Sequence, residues 1–521
     1  MEWIAQQSWS NGKVATTGAS ADGLNEFTEI IGEYHPWISA QFIIFASSSG
    51  YDVAYPGGAA RESLISLWIG STVPDQAPAK IHEVYENEAP GQWWDCLNST
   101  GNFHNVDFPS TLWAGWYDIF LVGNLLGFEG YQHAAKEGHT GQSRLVVDPL
   151  GHCQAGAKYF PKNTILGRVI LPILQAYDMF DGKSTIPEDV KAVTFYVMGA
   201  DPKDDANALG NYWTTQDDFP QFTPTKLYLQ GHSNLTSAVP PSGFSADSFT
   251  YNPANPVLSN GGNNLKIKCG PLNQAAPGYR PDVITFQSAP LAEPLWLTGP
   301  INAVLYVSSN ATDTDFTAKL VDVYPGGTEM RLIQDGIVRM RWRDRTESNV
   351  AKPMSPGRVY EVELSLWNTS YVFSPGHRLR VDISSSNYPR FSVNPNNFCP
   401  MANEQCAPNV TARNTIYHSA EHPSHISLPV VQSSQLPEHS VLDSTLVALK
   451  RRMQVSPKFA EYVATRASRD GLLSHSPAPL RGSQPVSPVS ALLALSDSEL
   501  HRVATSVLSD LTMDSTLAAQ L

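Results

Sequence analysis

The pattern of apolar residues changes once along the chain, near residue 190, and this change constrains the fold more than any other feature. Before it, continuous apolar runs alternate with segments of helical periodicity, which predicts a parallel sheet covered by helices. After it, Glu361 to Leu366 and Leu379 to Ile383 alternate polar and apolar residues, with Arg380 and Asp382 on the outward side. This period of two predicts half-buried antiparallel strands, and hence a sandwich.

Within the first part, the sequence predicts four strands, one early helix and a long insertion. The helix covers Asp22 to Tyr34, because four apolar residues recur there at helical spacing. The insertion, Ser47 to Pro109, is longer than an ordinary crossover and is expected to form a helical cap over the site. The predicted strands are Lys13 to Thr17, Ala40 to Ala46, Ser110 to Ala114 and Arg144 to Val147.

We therefore expect three units: residues 1–185, with the cap at about 50–109, then residues 190–432, and a tail over 433–521. In the tail, Ser474 to Pro488 is rich in serine and proline and is interpreted as a linker. A capping-box pattern at Ser496 to Glu499 is followed by Leu500, Val503, Val507 and Leu511 at helical spacing. We favour a loosely attached amphipathic helix over a helix that binds a specific partner.

Charge and hydropathy exclude several functions. The 521 residues include 35 Lys and Arg against 49 Asp and Glu, a net charge of −14. Nucleic acids and anionic membranes attract basic surfaces, so this balance argues against a nucleic-acid partner and against a polybasic membrane anchor. No apolar run approaches the roughly 18 residues of a membrane span, and the first residues lack the pattern of a signal peptide.

Cysteines and acidic residues do not predict a metal or a cofactor. The five cysteines have no CxxC spacing; Cys399 and Cys406 could close a short loop, or both could be free. Asp201, Asp204 and Asp205 could suggest a metal site, but an acidic surface turn is the favoured interpretation. The compartment stays open, although five sequons weakly favour secretion: Asn98, Asn234, Asn310, Asn368 and Asn409.

A turn between the first predicted strand and the helix resembles a nucleophile elbow. It reads GASADG, from Gly18 to Gly23, where the usual pattern is G-x-S-x-G with a strained serine between small neighbours. Asp22 occupies the second glycine position, and the glycine comes one residue later. The alternative is that Ser20 or Asp22 merely caps the helix that follows.

Two more residues complete a possible catalytic set. Asp118 follows the third predicted strand and His152 the fourth, and the order Ser, Asp, His at successive strand ends is that of α/β-hydrolases. A serine hydroxyl needs a base, histidine serves near neutral pH, and a carboxylate orients the imidazole. Asp118 as a helix cap and His152 as a loop residue remain alternatives. Cys153 is favoured as a buried thiol or disulfide partner over a nucleophile.

Several longer motifs resemble the cocaine-esterase and X-Pro dipeptidyl-peptidase family of serine hydrolases. In the first part they are GWYDIF from Gly115 and VVDPLGH from Val146. The later segments are GGNNL from Gly261, DTDFTAKLVDVYPGG from Asp313, DGIVRMRWR from Asp335, GHRLRVDISSSNYPRF from Gly376 and EHPSHISLPV from Glu421. The resemblance covers about residues 1–431 and implies an α/β hydrolase followed by an all-β jelly roll.

Carried over residue by residue, the resemblance implies that Ser20 is the nucleophile, His152 the general base and acid, and Asp118 its orienting carboxylate. The backbone N–H of Ala21 would donate to the oxyanion. Phe120 would line the substrate pocket. Trp116, Trp93 and Trp94 would either help to line it or be core aromatics.

The same resemblance implies that several strands, and a loop whose tyrosine gives a second oxyanion contact, would precede Met1. We therefore expect a parallel sheet that is incomplete at its N-terminal side. The expected function is cleavage of an ester or amide through an acyl-enzyme, either as an X-Pro dipeptidyl-peptidase or as an acyl esterase, on a small ester or peptide substrate. The alternative is a catalytically impaired homologue whose jelly roll is a binding or structural module.

Overall fold

The computed structural model describes residues 1–32, 35–152, 160–345, 348–403, 409–469, 492 and 494–509. The strands are β1 (Val14–Ala19), β2 (Ile38–Ile44), β3 (Ser110–Gly115), β4 (Arg144–Asp148), β5 (Val193–Gly199), β6 (Tyr212–Gln216), β7 (Thr223–Gln230), β8 (Asn234–Thr236), β9 (Ala246–Tyr251), β10 (Ile284–Gln287), β11 (Leu295–Ser309), β12 (Asp315–Val323), β13 (Met330–Arg339), β14 (Tyr360–Phe373), β15 (Arg378–Ser384), β16 (Ala412–Tyr417) and β17 (His425–Val430).

The α-helices are α1 (Glu2–Ala5), α2 (Ala21–Thr28), α3 (Gly50–Ala54), α4 (Glu62–Thr72), α5 (Ala77–Glu86), α6 (Leu121–His133), α7 (Leu171–Asp181), α8 (Ala275–Gly278), α9 (Val441–Val455), α10 (Pro457–Arg469) and α11 (Asp497–Ser509). A π-turn at Leu166–Ile170 leads into α7. No helix in the described part of the chain is long and apolar enough to cross a bilayer.

The first sheet contains β1 to β6 in sequential order, and all neighbours are parallel except β5 and β6. The four predicted strands are present, each with its ends shifted by at most two residues. The helix α2 is shorter than predicted and ends at Thr28. The chain continues in turns through Gly32 and still buries Ile30, which explains why the apolar periodicity extended too far; Tyr34 lies outside the described residues.

The parallel sheet extends past the predicted domain boundary at residue 190. β5 is buried along its whole length and pairs with β4, and β6 follows it antiparallel. β5 also pairs with β14 at Tyr371 and Val372, so it connects the two sheet systems. The first strand that pairs only with later strands is β7, from Thr223.

The insertion between β2 and β3 is helical, as predicted for a cap. It contains α3, α4 and α5, followed by short 3₁₀ turns at Gln92–Leu97 and Phe103–Asn105. Its small core packs Tyr51, Tyr55, Ile65 and Trp94 together.

The second part is a two-sheet antiparallel sandwich. One sheet orders β13, β12, β15 and β10. In the other, β11 pairs with β14 along one edge and with β17 and β16 along the opposite edge, and these two are extended by β7 and β9. The start of β14 alternates buried and exposed residues, as its sequence predicts.

The prediction that Arg380 and Asp382 face outward is wrong. Both are buried, and the guanidinium binds the carboxylate through two hydrogen bonds of 2.7 Å. A second Nη2 bond, to the carbonyl of Gln274 at 2.9 Å, shows that the loop before α8 covers this face of β15. Because the two charges neutralise each other, the polar side of this alternating strand can be buried.

The tail is packed more closely than the predicted loose helix. α9 buries Leu446, Leu449 and Met453, and Arg452 donates to Asp181 on α7 at 2.7 Å. In α11, Leu500 and Val503 are each 1% exposed. The predicted linker, Ser474 to Pro488, and Leu511 lie outside the described residues, as does the side chain of Val507.

The cysteines divide into two groups. Cys269 and Cys399 each take part in a disulfide bond, so the option of a free Cys399 is wrong, while Cys96 is an exposed free thiol. Cys153 and Cys406 lie outside the described residues.

Candidate active site

Ser20 occupies the tight turn that joins β1 to α2. Its backbone is strained, with φ 59° and ψ −120°, a region that residues with a Cβ rarely adopt. It stands at the N-cap position, but its side chain makes no capping hydrogen bond. The hydroxyl is therefore not committed to the helix, which removes the capping alternative for this residue.

The unusual spacing of the two glycines has a packing reason. A Cβ on Gly18 would lie 2.4 Å from the carbonyl oxygen of Asp22, and one on Gly23 would lie 2.6 Å from the Cβ of Ala46. The second glycine is thus required where α2 crosses the end of β2. Asp22 itself is exposed, so the position that usually carries glycine tolerates a side chain here.

Asp118 and His152 are held together at the ends of β3 and β4. The ring Nδ1 of His152 forms a short hydrogen bond with Oδ2 of Asp118. The same oxygen accepts the backbone N–H of His152 at 2.8 Å, while Oδ1 accepts the N–H of Phe120 at 2.8 Å. Asp118 is 1% exposed, so a carboxylate without competing water fixes the orientation of the imidazole.

The other imidazole nitrogen, Nε2, is buried and has no hydrogen-bond partner among the described residues. The ring lies between Phe120 and Phe45, with centroid distances of 5.2 and 5.5 Å. Phe45 directly follows β2 and has a positive φ of 44°. Sequence reasoning missed Phe45, because nothing in an apolar strand marks which residue turns towards a neighbouring histidine.

A cavity of about 190 Å³ opens beside Ser20, and Ser20 and Ala21 form part of its wall. Ala21 is the first residue of α2, and the first N–H groups of a helix have no partner within it. The rest of the wall belongs mainly to the cap. It consists of Leu24, Gly50, Val53, Ala54, Leu64, Ile65, Trp68, Ile69, Val84, Trp93, Trp94, Leu97, Phe120 and Leu265.

The four aromatic residues predicted for the pocket separate into two groups. Phe120, Trp93 and Trp94 line the cavity. Trp116 lies in the core instead: it is 1% exposed, its indole N–H donates to the carbonyl of Tyr196 at 2.7 Å, and its ring packs against Phe195. The prediction of Trp116 as a pocket residue is therefore wrong, because its side chain points away from the turn that carries Asp118.

Arg61, which the sequence did not single out, lies behind the site. It is 1% exposed and donates from Nη1 to the carbonyl of Ile119 at 2.8 Å, while Nε and Nη2 have no partner among the described residues. Burial, followed by the charge of Arg390, lowers the pKa of Arg61 to about 9. A lone arginine within a helical insertion gives no sequence signal of such burial.

The acidic turn after β5 binds side chains of the sandwich. Asp205 contacts the ring of His377 at 3.0 Å, and Asp204 accepts from Arg331 at 3.1 Å. In the described residues, the one group of three side chains that could hold a metal is exposed at the end of α6: Glu129, His133 and Asp218.

Comparisons with known proteins match both parts of the chain. A family model described as X-Pro dipeptidyl-peptidase (S15 family) matches residues 1–89. A model described as X-Pro dipeptidyl-peptidase C-terminal non-catalytic domain matches residues 183–427. Cocaine esterase from Rhodococcus sp. (strain MB1 Bresler) is 30% identical over 497 residues, covering 83% of each chain.

Solved structures agree on the fold. An aminopeptidase from a marine sediment Thaumarchaeota archaeon superposes with a TM-score of 0.69 at 21% identity, and an α-amino acid ester hydrolase with 0.68 at 23%. Each match covers 82% of this chain and 78% of the other. The predicted fold, an α/β hydrolase followed by an all-β domain, is confirmed. The chain belongs to the family of hydrolases that includes cocaine esterase and the X-Pro dipeptidyl-peptidases.

Proposed function

We propose that the protein is a serine esterase that cleaves carboxylic esters carrying a bulky apolar group, through an acyl-enzyme on Ser20. The observation that carries the proposal is the position of Ser20 in the wall of an apolar cavity. The ring of Phe120, in the same wall, packs on His152.

In this mechanism the Oγ of Ser20 attacks the ester carbonyl while Nε2 of His152 takes the hydroxyl proton. The N–H of Ala21 donates to the oxyanion of the tetrahedral intermediate. Asp118 stabilises the imidazolium through Nδ1. The proton then passes to the leaving alcohol, and the carbon–oxygen bond to that alcohol breaks. Water, deprotonated by the same histidine, hydrolyses the acyl-serine and restores the enzyme.

The size and chemistry of the cavity favour a ring-sized apolar group. An engineered apolar cavity of about 150 Å³ is known to hold benzene, so about 190 Å³ is sufficient for a six-membered ring. The wall is rich in indole and aliphatic side chains, which bind such a ring by contact and dispersion.

A dipeptidyl-peptidase has a different requirement, because it must bind the free N-terminal ammonium of its substrate. Burying a cation without a counter-charge is costly, so a carboxylate is needed near it. Among the described residues that line the cavity, none is charged. This favours an ester over a dipeptide, although the match of residues 1–89 to the peptidase model keeps the peptidase as the competing activity.

The test compares three substrates on the purified protein: p-nitrophenyl benzoate, p-nitrophenyl acetate and Gly-Pro-p-nitroanilide. The proposal predicts the highest kcat/KM for the benzoate, and Ser20→Ala supplies the background rate. Faster hydrolysis of the anilide would replace the esterase with the dipeptidyl-peptidase. Equal rates for wild type and Ser20→Ala on all three substrates would favour the inactive homologue.

A further inference from the structure

The turn that carries Asp118 is held from outside its own domain. The backbone carbonyl of Trp116 accepts two side-chain amides, from Asn263 at 2.9 Å and from Gln334 at 2.8 Å. The same Nδ2 of Asn263 donates to the carbonyl of Asp118 at 3.0 Å. Asn263 and Gln334 both lie in the stretch matched by the C-terminal non-catalytic domain model, and both are 0% exposed.

One amide group therefore spans the Trp116–Asp118 turn. Fixing these two carbonyls restrains the peptide unit that precedes Tyr117 and the one that follows the Cα of Asp118. The hydroxyl of Tyr117 adds a third contact to the sandwich, donating to the carbonyl of Leu332 at 2.7 Å. Among the described residues, the carboxylate of Asp118 bonds to Phe120 and His152 only, so these contacts from the sandwich act on its position and not on its charge.

The segment that presents Asn263 is itself fixed. Gly262 has a φ of 88°, and a Cβ there would lie 2.7 Å from Nη1 of Arg390 and 2.9 Å from Oδ1 of Asp335. Its N–H and carbonyl are both paired with Gly270, at 2.9 and 3.0 Å. Asn263 thus extends from a backbone pressed against a buried ion pair, which is a rigid support for a positioning contact.

The buried amides also have unused oxygens. Oδ1 of Asn263 and Oε1 of Gln334 have no partner among the described residues. An acceptor buried without a partner costs free energy. An apolar side chain of similar size would therefore stabilise the fold at least as well as either amide. The donors directed at the turn are what these amides supply.

We propose that Asn263 is a positioning residue for the Asp118–His152 pair, so that the sandwich takes part in catalysis by holding the turn that carries the acid. The inference rests on the proposed function, because it requires Asp118 and His152 to be catalytic. It adds to that function a role for the second domain.

The test measures kcat, KM and the pH profile of kcat/KM for Asn263→Ala with p-nitrophenyl benzoate. We expect kcat to fall about tenfold to a hundredfold with KM within about twofold, because small misplacements of catalytic groups have effects of this size. A displaced carboxylate stabilises the imidazolium less, so the acid limb of the profile should move to lower pH.

The chain offers a matched control one residue away. Asn264 is 1% exposed, and its Nδ2 donates to the carbonyls of Gly261 and Lys268, at 2.7 and 2.8 Å, within its own segment. Asn264→Ala should lower the melting temperature while kcat and the acid limb stay at their wild-type values. Equal kcat and equal acid limbs for the two alanine variants would overturn the inference.

Gln334→Met covers the case in which Asn263→Ala does not fold. It keeps the volume and removes the donor that Nε2 supplies to Trp116 and, within the sandwich, to the carbonyl of Asn368 at 3.0 Å. We expect a fall in kcat of about threefold to tenfold with a shift of the acid limb in the same direction. An unchanged acid limb would count against the inference. If wild type itself neither hydrolyses the ester nor reacts with a fluorophosphonate, the proposed function fails and the inference with it; if wild type reacts, failure in the variants concerns Asn263 alone.

Discussion

The buried arginines of the sandwich pair with carboxylates, whereas Arg61, beside the carboxyl ends of the parallel strands, does not within the described part of the chain. In the sandwich, buried arginines face carboxylates. Arg339 binds Asp315 at 2.8 Å, Arg341 binds Asp313 at 2.6 Å, and Arg390 pairs with Asp335 through a short contact. Arg61, by contrast, donates to the carbonyl of Ile119 and lies over the ring of Trp367, without a carboxylate partner among the described residues. Nε2 of His152 likewise has no hydrogen-bond partner in the described residues.

Chemical activity is expected at a buried group that lacks a partner, and not at one that is already paired. A paired buried charge is already compensated, so it fixes geometry. A buried polar atom without a partner retains its capacity to bind, and such atoms are uncommon in native proteins. The ion-paired arginines of the sandwich thus have the character of a scaffold. In the proposed function, Nε2 of His152 is the unpaired atom that acts on the substrate.

The largest expected effect comes from removing the negative charge of Asp118, at the carboxyl end of β3. Asp118→Asn should lower kcat by about 10⁴-fold, because the amide favours the wrong imidazole tautomer and does not stabilise the imidazolium. Steady-state kinetics with p-nitrophenyl benzoate measure this loss. Asp178→Asn is the control, since Asp178 accepts backbone N–H groups from Thr185 and Ile186 on the same domain without touching His152. A loss of less than tenfold in Asp118→Asn would argue against the assigned role.

The second-largest effect is expected from breaking the buried ion pair of Asp335 and Arg390 in the sandwich. Asp335→Asn leaves the guanidinium of Arg390 buried without its carboxylate, and we expect the free energy of unfolding to fall by about 3 to 5 kcal/mol. Urea denaturation measures it. Asp344→Asn, in the exposed pair with Lys352, should change stability little.

A double replacement sharpens this test. Asp335→Leu with Arg390→Met removes both charges, and we expect it to recover much of the loss, because the burial cost disappears with the pair. If Asp335→Asn proves as mild as Asp344→Asn, the sandwich does not depend on compensation and the comparison fails.

A pair of carboxylates beside β1 gives the third effect. Burial raises the pKa of Glu26 to about 8 and also raises that of Glu29; the carboxyl groups of both lie within hydrogen-bond distance of the hydroxyl of Thr16. The ordinary pKa of Glu26 is 4.5, so its contribution to stability is complete below pH 4.5 and is lost as the pH rises towards 8.

Glu26→Gln stays neutral throughout and should remove that loss. Thermal denaturation should show the variant about 3 to 5 kcal/mol more stable than wild type at pH 9, with a difference that vanishes near pH 4.5. Glu188→Gln, which removes an exposed carboxylate, controls for net charge. A constant difference between pH 4.5 and 9 would contradict the raised pKa.

The smallest effect concerns the cavity wall. Trp93 is 39% exposed and lines the cavity, so Trp93→Ala should raise KM for p-nitrophenyl benzoate by about threefold to tenfold and leave KM for the acetate nearly unchanged. Trp9→Ala, at a tryptophan that is 68% exposed, is the matched control. Equal effects on both esters would place the benzoyl ring elsewhere.

The sequence predicted the elements whose signals are local. The four parallel strands could be found because their apolar runs are continuous. Ser20, Asp118 and His152 were candidates because each follows a strand end, and Asp118 and His152 do lie in contact. The outward placement of Arg380 and Asp382 failed because periodicity reports a face of the sheet, and not whether another segment covers that face. Trp116 failed for a related reason, since its neighbours Phe195 and Tyr196 come from β5.

Contacts between distant parts of the chain could not be predicted from the sequence. Nothing in Gly261–Leu265 indicates that Asn263 bonds to a turn near residue 117, because the two are separated by about 145 residues. Arg61 and Phe45 were missed in the same way. The segment that forms β5 fell within the predicted second domain, residues 190–432, because the periodicity of the later strands suggested one sandwich from residue 190 onwards.

The central claim is that Ser20 is the nucleophile, and the most direct measurement is the mass of its adduct. The protein is treated with a fluorophosphonate, digested, and the modified peptide is sequenced by mass spectrometry, with Ser20→Ala in parallel. We expect one phosphonylated residue, Ser20, and no adduct in the variant. An adduct on another residue, or equal labelling of wild type and Ser20→Ala, would contradict it.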